Sequence, residues 1–282
     1  MDISVIIPTF NRKTVLSRAL RSVLNQRLDT RNVSFEVLIA DDGSTDGTEQ
    51  EIRRDFPGVS YLRWETQQGP SFARNRAAES ARGHWLAFLD SDDEWKPRKL
   101  QEQLNFFKAH PGYRICQTEE IWIRNGVRVN PMKKHQKHGG LIFEQCLPLC
   151  VISPSAVMIE KKLFTELDGF DETLPACEDY DLWLRVASRH PVGLLSKAHV
   201  IKYGGHADQR SREFPAMDRF RIHALEKIIA SRTLTPEQTV QALTMLDQKT
   251  KVVLNGALKR ENTQEAAQME SLRLKYAFEM SV

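Results

Sequence analysis

A run of apolar residues, Trp85-Leu86-Ala87-Phe88-Leu89, stops abruptly at Asp90-Ser91-Asp92-Asp93-Glu94-Trp95. A run of this length suits a strand buried on both faces and is too short for a spanning helix. Gly83 punctuates its entry. The acids then sit at a strand's carboxyl end, the edge where open α/β sheets leave a crevice for ligands. Asp90 and Asp92, one residue apart, can each offer a hard oxygen to one divalent cation, and that cation can hold a diphosphate. Taken alone, an Asp-x-Asp is far more often a solvated turn or a helix cap, so the rest of the chain has to decide.

The stretches before it repeat the same pattern. Residues 3–7 read as a buried strand that ends at Pro8-Thr9-Phe10-Asn11-Arg12, with Asn11 placed to cap a helix whose apolar positions fall at 15, 16, 19, 20, 23 and 24. A second strand over 35–40 runs into Asp41-Asp42-Gly43-Ser44, and Thr48 with Glu51 forms a capping-box pattern for the next helix. A third strand over 59–64 leads through Gly69-Pro70-Ser71 to a helix over 72–82. Strands alternating with helices predict a mostly parallel sheet covered on both faces.

After the acids the pattern changes. A helix is expected over 97–109, then a strand over 114–124 turning back at Asn125-Gly126 as a hairpin. Residues 124–138 carry Arg124, Arg128, Lys133, Lys134 and Lys137 with no acid. The plain reading is a solvated basic loop; the alternative is a docking surface for an anionic acceptor or a membrane. A strand over 155–159, a short helix over 161–167 and a helix from Glu178 follow, with short strands over 192–195 and 200–201. From Phe214 the glycines nearly vanish and helical spacing takes over, with capping boxes at Thr235/Gln238 and Asn262/Glu265. A catalytic domain over 1–213 and a helical region over 214–282 are expected. Three such helices should pack on the sheet domain or on a second copy, and should be removable with folding of the sheet domain retained.

Composition narrows the function classes. Forty Lys+Arg against 37 Asp+Glu leave a net charge of +3, too balanced for a nucleic-acid protein. The 41% hydrophobic content supplies a core. Cys116, Cys146, Cys150 and Cys177 form no C-x-x-C pair and read as reduced structural thiols, which suits a cytoplasmic protein. With no stretch long enough to span, any membrane contact is expected to be peripheral.

Five motifs in order carry a family resemblance. They are residues 4–12, Asp41-Asp42-Gly43-Ser44-Thr45-Asp46, the stretch from Gly69 to Ala73-Arg74-Asn75, Leu89-Asp90-Ser91-Asp92-Asp93, and the Glu178-Asp179-Tyr180-Asp181-Leu182-Trp183 helix start. Together they resemble the family-two inverting glycosyltransferases of the GT-A fold over roughly the first 206 residues. That fold implies a Rossmann-like α/β sheet with a small antiparallel section. The resemblance implies that Pro8, Thr9, Arg12 and Asp42 line a nucleotide pocket, with Arg74 close by, and that Asp42 accepts from the base. Asp90 would face ribose or metal, beside Ser91, and Asp92 would hold Mn²⁺ or Mg²⁺ on the diphosphate of a nucleotide-sugar donor. His206, framed by Gly204-Gly205, would complete the metal or pyrophosphate contacts. Asp179 would be the general base, its helix N-terminus favouring the ionised form. Glu178 and Trp183 would meet the acceptor, a glycan or a lipid-linked molecule, although helix packing also accounts for Trp183.

Three other readings compete. A phosphatase of the Asp-x-Asp-x-Thr kind is opposed by Glu94 where threonine is needed. A catalytically silent nucleotide-sugar module is opposed by the presence of Asp179. A scaffold acting through its terminal helices is the third. A homodimer through those helices is a further expectation, and the sugar and the acceptor are not legible at this level.

Overall fold

The computed structural model describes residues 1–29, 33–130, 132–205, 214 and 216–277. β1 (Ile3–Thr9) is buried along its whole length, as its apolar run predicts. Its successive side chains serve opposite faces of the sheet. Ile6 joins Leu38, Ala40, Leu86 and Phe88 in one apolar cluster, while Val5 and Ile7 join Val37, Ile39, Ala87 and Leu89 in another. This period of two, with both faces covered, explains why these strands read as unbroken apolar runs.

The chain continues through α1 (Lys13–Leu24), β2 (Phe35–Asp41), α2 (Thr48–Asp55), β3 (Ser60–Arg63), α3 (Pro70–Ser80) and β4 (Trp85–Phe88). Next come β5 (Glu94–Trp95), α4 (Lys99–Ala109), β6 (Ile115–Arg124), β7 (Val127–Val129), α5 (Phe143–Cys146) and β8 (Met158–Glu160). The remainder is α6 (Lys161–Glu166), α7 (Glu178–Ala187), β9 (Gly193–Gly204), α8 (Asp218–Ala230), α9 (Pro236–Lys259) and α10 (Thr263–Ala277). The strands form one sheet in the order β3-β2-β1-β4-β8-β6-β9-β5, with β7 paired to β6. β1, β2, β3 and β4 are mutually parallel. β8 enters antiparallel between β4 and β6, and β5 runs antiparallel to β9. The expected α/β sheet, parallel from β3 through β4 with an antiparallel section beyond, is therefore present.

Several local expectations change. Asn11 does not cap α1: it sits at φ 51°, and Arg12 precedes the helix with no side-chain cap. Instead the Asn11 side chain accepts from Thr45 N–H at 2.8 Å, and its own N–H donates to Ser44 Oγ at 2.8 Å, tying the loop after β1 to the loop after β2. Thr48 is likewise not a cap, because α2 begins after Gly47 and Asp46 accepts from the Thr48 N–H. The two short strands expected near 192–201 form one, β9, whose pairing with β6 is irregular around Glu119. The Asn125-Gly126 hairpin and the reciprocal Thr235/Gln238 capping box are both present.

The terminal helices are built into the main core. Ile222, Leu225, Ile228 and Ile229 of α8, with Leu243 and Leu246 of α9, share one apolar cluster with Leu182, Trp183 and Val186 of α7. Burying one such side chain stabilises by about 1.5–3 kcal/mol, so together they are comparable to a whole domain's net stability of about 5–15 kcal/mol. The composition break near Phe214 is thus not a break in the core. Deletion from residue 214 onward is predicted to give an insoluble chain or one without a cooperative melting transition, read by calorimetry. A soluble fragment that melts cooperatively would show that the helices are an independent layer.

Candidate active site

The parallel strands β1, β2 and β4 deliver their loops to one edge, and the loops are held to each other. Asp42 N–H donates to Thr9 O at 2.9 Å, and its carboxylate accepts from Gln68 N–H at 2.9 Å and Gly69 N–H at 2.7 Å. Asp42 thereby latches the loop that leads into α3. Fully buried Asp41 accepts from Ser44 N–H at 2.9 Å and from Tyr61 Oη at 2.7 Å. Gly43, at φ 91°, lets the turn close where a Cβ would lie 3.3 Å from the Gln67 nitrogen. Pro8 and Thr9 are buried at the end of β1, and Thr9 Oγ1 has no hydrogen-bond partner among the described residues. Arg12 is half-buried just beyond them.

The acid loop after β4 is held from several sides. Arg74, 6% exposed on α3, donates to Asp90 Oδ1 at 2.7 Å and to Glu178 Oε1 at 3.0 Å. One guanidinium therefore joins the acid loop to the start of α7. Ser155 Oγ donates to Asp93 Oδ2 at 2.6 Å while accepting from Asp90 N–H at 3.1 Å. The Lys202 ammonium lies 3.1 Å from Asp93 Oδ2 and 3.9 Å from Asp90 Oδ2. Arg18 donates to the Asp92 carbonyl at 2.6 Å and lies over the Tyr203 ring, its guanidinium carbon 3.7 Å from the centroid. Ser91 is buried and Asp92 half-buried.

These surroundings set the charges. Burial works to raise the Asp90 carboxyl, but Arg74 and Lys202 win and hold it below the ordinary carboxylate range. Asp93 goes the other way: burial, with Asp90 and Asp92 adding like charge, pushes it up to about 7 against the pull of Lys202. Asp179 is raised to about 6, first by burial and then by the neighbouring Glu178 charge. The expectation that the helix N-terminus would favour its ionised form is corrected, since those two effects outweigh what the Cys150 thiol, the Tyr180 N–H and Arg74 contribute. Nor does Asp179 cap α7, which follows Cys177 with no side-chain cap; its Oδ1 accepts from Tyr180 N–H at 2.7 Å.

The sequence-derived set falls into three groups. Pro8, Thr9, Arg12, Asp42, Arg74, Asp90, Ser91 and Asp92 lie on the loops and helix start at one sheet edge, and Glu178 and Asp179 are drawn to it through Arg74. Trp183 is a correction: it is 1% exposed, edge-on to Phe170 at 6.2 Å, so no ring face is open to a sugar. His206 lies outside the described residues. Lys202, Arg18, Tyr203, Ser155 and Cys150 were not anticipated, because register and chain return bring them here and no local pattern announces them. Lys202 faces the acids only because β9 pairs with β6, opposite Trp122.

A divalent cation finds suitable donor chemistry here. Asp92 and Asp90 offer carboxylate oxygens, which suit hard Mn²⁺ or Mg²⁺, and such ions are commonly held by one or two carboxylates with substrate phosphates supplying the rest. Among the described residues no group of three or more His, Cys, Asp or Glu side chains could hold a metal by itself.

The family model "Glycosyl transferase family 2" matches residues 4–167. An uncharacterized glycosyltransferase of Rickettsia conorii is 34% identical over 207 residues, covering 69% of this chain and 32% of that protein. The chain thus spans about a third of the length of that relative. An Escherichia coli protein described as UDP-Glc:alpha-D-GlcNAc-diphosphoundecaprenol beta-1,3-glucosyltransferase WfgD is 29% identical over 195 residues, covering 69% of this chain and 73% of its own. Among solved structures, S. aureus TarS 1-349 in complex with UDP-GlcNAc superposes with a TM-score of 0.69 at 20% identity, over 98% of this chain and 92% of that one. The mannosyltransferase PcManGT from Pyrobaculum calidifontis, in complex with GDP-Man and Mn2+, gives 0.63 at 16% identity, over 98% and 80%. With the family model covering more than half of its length, and with its strand-tip acids gathered at one edge of an α/β sheet of the GT-A kind, the chain belongs to glycosyl transferase family 2.

Proposed function

We propose that the protein is an inverting glycosyltransferase that moves a sugar from a UDP-linked donor to a hydroxyl of a glycan or lipid-linked acceptor in cell-surface polysaccharide or glycoconjugate synthesis. The observation that carries this reading is the Arg74 bridge between Asp90 and Glu178, which sets a carboxylate of raised pKa, Asp179, beside the acid loop. The nucleotide sits against Pro8, Thr9, Arg12 and Asp42. The partnerless buried Thr9 hydroxyl supports a polar ligand there, and we assign Asp42, fixed by the Gln68 and Gly69 N–H groups, to the base. The UDP-GlcNAc named for TarS and the UDP-Glc named for WfgD support a uridine donor, and the diphosphoundecaprenol named for WfgD supports a lipid-linked acceptor. We assign residues 1–213 to catalysis and the helical region 214–282 to support and assembly, with the protein working at the inner face of a membrane. No helix among the described residues is long and apolar enough to cross one.

Asp92 and Asp90, with Ser91 between them, would hold Mn²⁺ or Mg²⁺ at the diphosphate, and such a cation supplies charge neutralisation for the departing nucleoside diphosphate. Asp179 removes the proton of the acceptor hydroxyl as that oxygen attacks C1. The C1–O bond to the diphosphate breaks on the opposite face, the configuration inverts, and UDP leaves with the bonding electrons. A single carboxylate suffices for this displacement, since no glycosyl-enzyme forms. A base with a pKa of about 6 is ionised at neutral pH yet more basic than an ordinary aspartate. Glu178, expected to meet the acceptor, is buried and bonded to Arg74, so we give it a positioning role instead: it holds Arg74 and raises Asp179.

Three measurements test this. Asp179→Asn is expected to retain donor affinity while cutting turnover by about 10²–10⁴; retained transfer would remove Asp179 from the base role. Because the base must be ionised, wild-type turnover should fall about tenfold per pH unit below a midpoint of about 6 and level off above it. A profile flat down to pH 5 would assign the proton elsewhere. Asp92→Asn should abolish Mn²⁺-dependent UDP binding in calorimetry with the melting temperature nearly unchanged, and unchanged affinity would contradict its ligand role.

A further inference from the structure

β6 runs in the same direction as β4, since both are antiparallel to β8 and Met158 lies opposite both Ala87 and Cys116. The two strands therefore point their carboxyl ends at the same edge. β4 ends at Phe88, whereas β6 continues to Arg124 and turns back through Asn125-Gly126 into β7. The acid loop can be placed against it. Asp93 accepts from Tyr203 N–H at 3.3 Å, and Tyr203 lies opposite Ile123. The hairpin tip thus stands one to three residues further out, about 3–10 Å at about 3.3 Å per residue, and about two strand spacings, ~10 Å, to the side.

The chain after β7 returns along this hairpin. The His135 ring lies 6.3 Å from that of Trp122, and Lys137 pairs with Glu120 at 3.1 Å, both buried there. This brings Met132, Lys133 and Lys134 beside the tip. Arg124, Arg128, Lys133 and Lys134 are exposed, and so are Val127 at 65% and Met132 at 59%. No Asp or Glu occurs between Glu120 and Glu144. A solvated loop accounts for the cations but not for large apolar side chains held out among them. Cations interleaved with exposed apolar residues fit a lipid surface, where the charges meet phosphate head groups and the apolar chains enter the boundary beneath.

We infer that this basic and apolar rim docks the protein on an anionic bilayer, beside the mouth of the active site. The inference rests on the proposed lipid-linked acceptor: a hydroxyl carried close above a membrane can reach Asp179 only if the mouth faces that membrane. The rim then does the facing.

The test is flotation of the full chain with vesicles of phosphatidylglycerol in phosphatidylcholine, against vesicles of phosphatidylcholine alone. Binding to the anionic vesicles is expected, weakening as salt is raised, with little binding to the neutral ones. Each cation at such a surface is worth about fivefold, so Arg128→Glu combined with Lys133→Glu and Lys134→Glu should weaken binding by about 100-fold or more. Val127→Asp, which leaves every cation in place, should weaken it at high salt as well. Unchanged melting temperatures would show that these exposed substitutions leave the fold intact. Wild-type protein that ignores anionic vesicles, or a charge-reversed variant that binds them as well as wild type, would overturn the proposal. So would binding to a soluble acidic polysaccharide in place of vesicles. Calorimetry with UDP and Mn²⁺ separates the two readings: vesicle binding without UDP binding would sink the donor assignment and leave the docking surface standing.

Discussion

The Arg74 guanidinium is the interaction on which the site depends. It is buried on α3 and meets Asp90 at 2.7 Å on one side and Glu178 at 3.0 Å on the other. Burying a cation costs several kcal/mol in lost hydration, and only close, hydrogen-bonded partners recover it. Once both carboxylates are in place, α3, the acid loop and α7 cannot shift independently, because removing one member leaves a buried charge without its counterpart, at about 3–5 kcal/mol. The ring of Phe170, 5.2 Å from the guanidinium carbon, packs the same group from the core. The acid loop and the start of α7, which carries Asp179, are in this way kept in one frame.

The same burial that fixes the geometry works against ionisation, and the two outcomes have opposite signs with pH. Asp179 and Asp93 have folded-state values raised to about 6 and about 7. Their protonated forms favour the fold, so the stability they contribute is present at low pH and lost as pH rises through those values. Asp90 is held below the ordinary range, and Asp171, where burial is outweighed by Lys227 and Thr173, is lowered to about 2. Their contribution is present above the unfolded carboxylate value and lost as pH falls through the folded one. Lys202 and Ser155 mediate between the two kinds of carboxylate: each contacts both Asp90 and Asp93. An acid loop so heavily tied is preorganised.

How much of this was legible follows from which interactions are local. The strand-tip acids and the parallel βαβ opening could be read because apolar periodicity and an abrupt switch to Asp are properties of consecutive residues. The role of Asn11 could not, because its partners Ser44 and Thr45 lie on another loop, and a residue that looks like a helix cap serves as a tie between strands. Lys202 was invisible for a similar reason: its position depends on the β6–β9 register, which the irregular pairing at Glu119 makes hard to foresee. Trp183 shows the reverse error, an aromatic near a functional motif that the amphipathic phase of α7 turns into the core. The composition change at Phe214 was real, but composition does not report whether two regions share one apolar cluster.

That one guanidinium couples the acid loop to the helix carrying Asp179 is tested most directly by a double-mutant cycle on stability. Asp90→Asn, Glu178→Gln and the pair would be compared by denaturant unfolding at pH 7. Both carboxylates bond to Arg74, and they also repel each other directly, so the part of the coupling that passes through the guanidinium is the part that disappears when Arg74 is replaced. A non-additive result is expected, the pair differing from the sum of the singles by about 0.5–3 kcal/mol, with the coupling changed in size or sign when Arg74 is first replaced by Met. Additive effects in the presence of Arg74 would mean that the two halves of the site are held independently, and would contradict it.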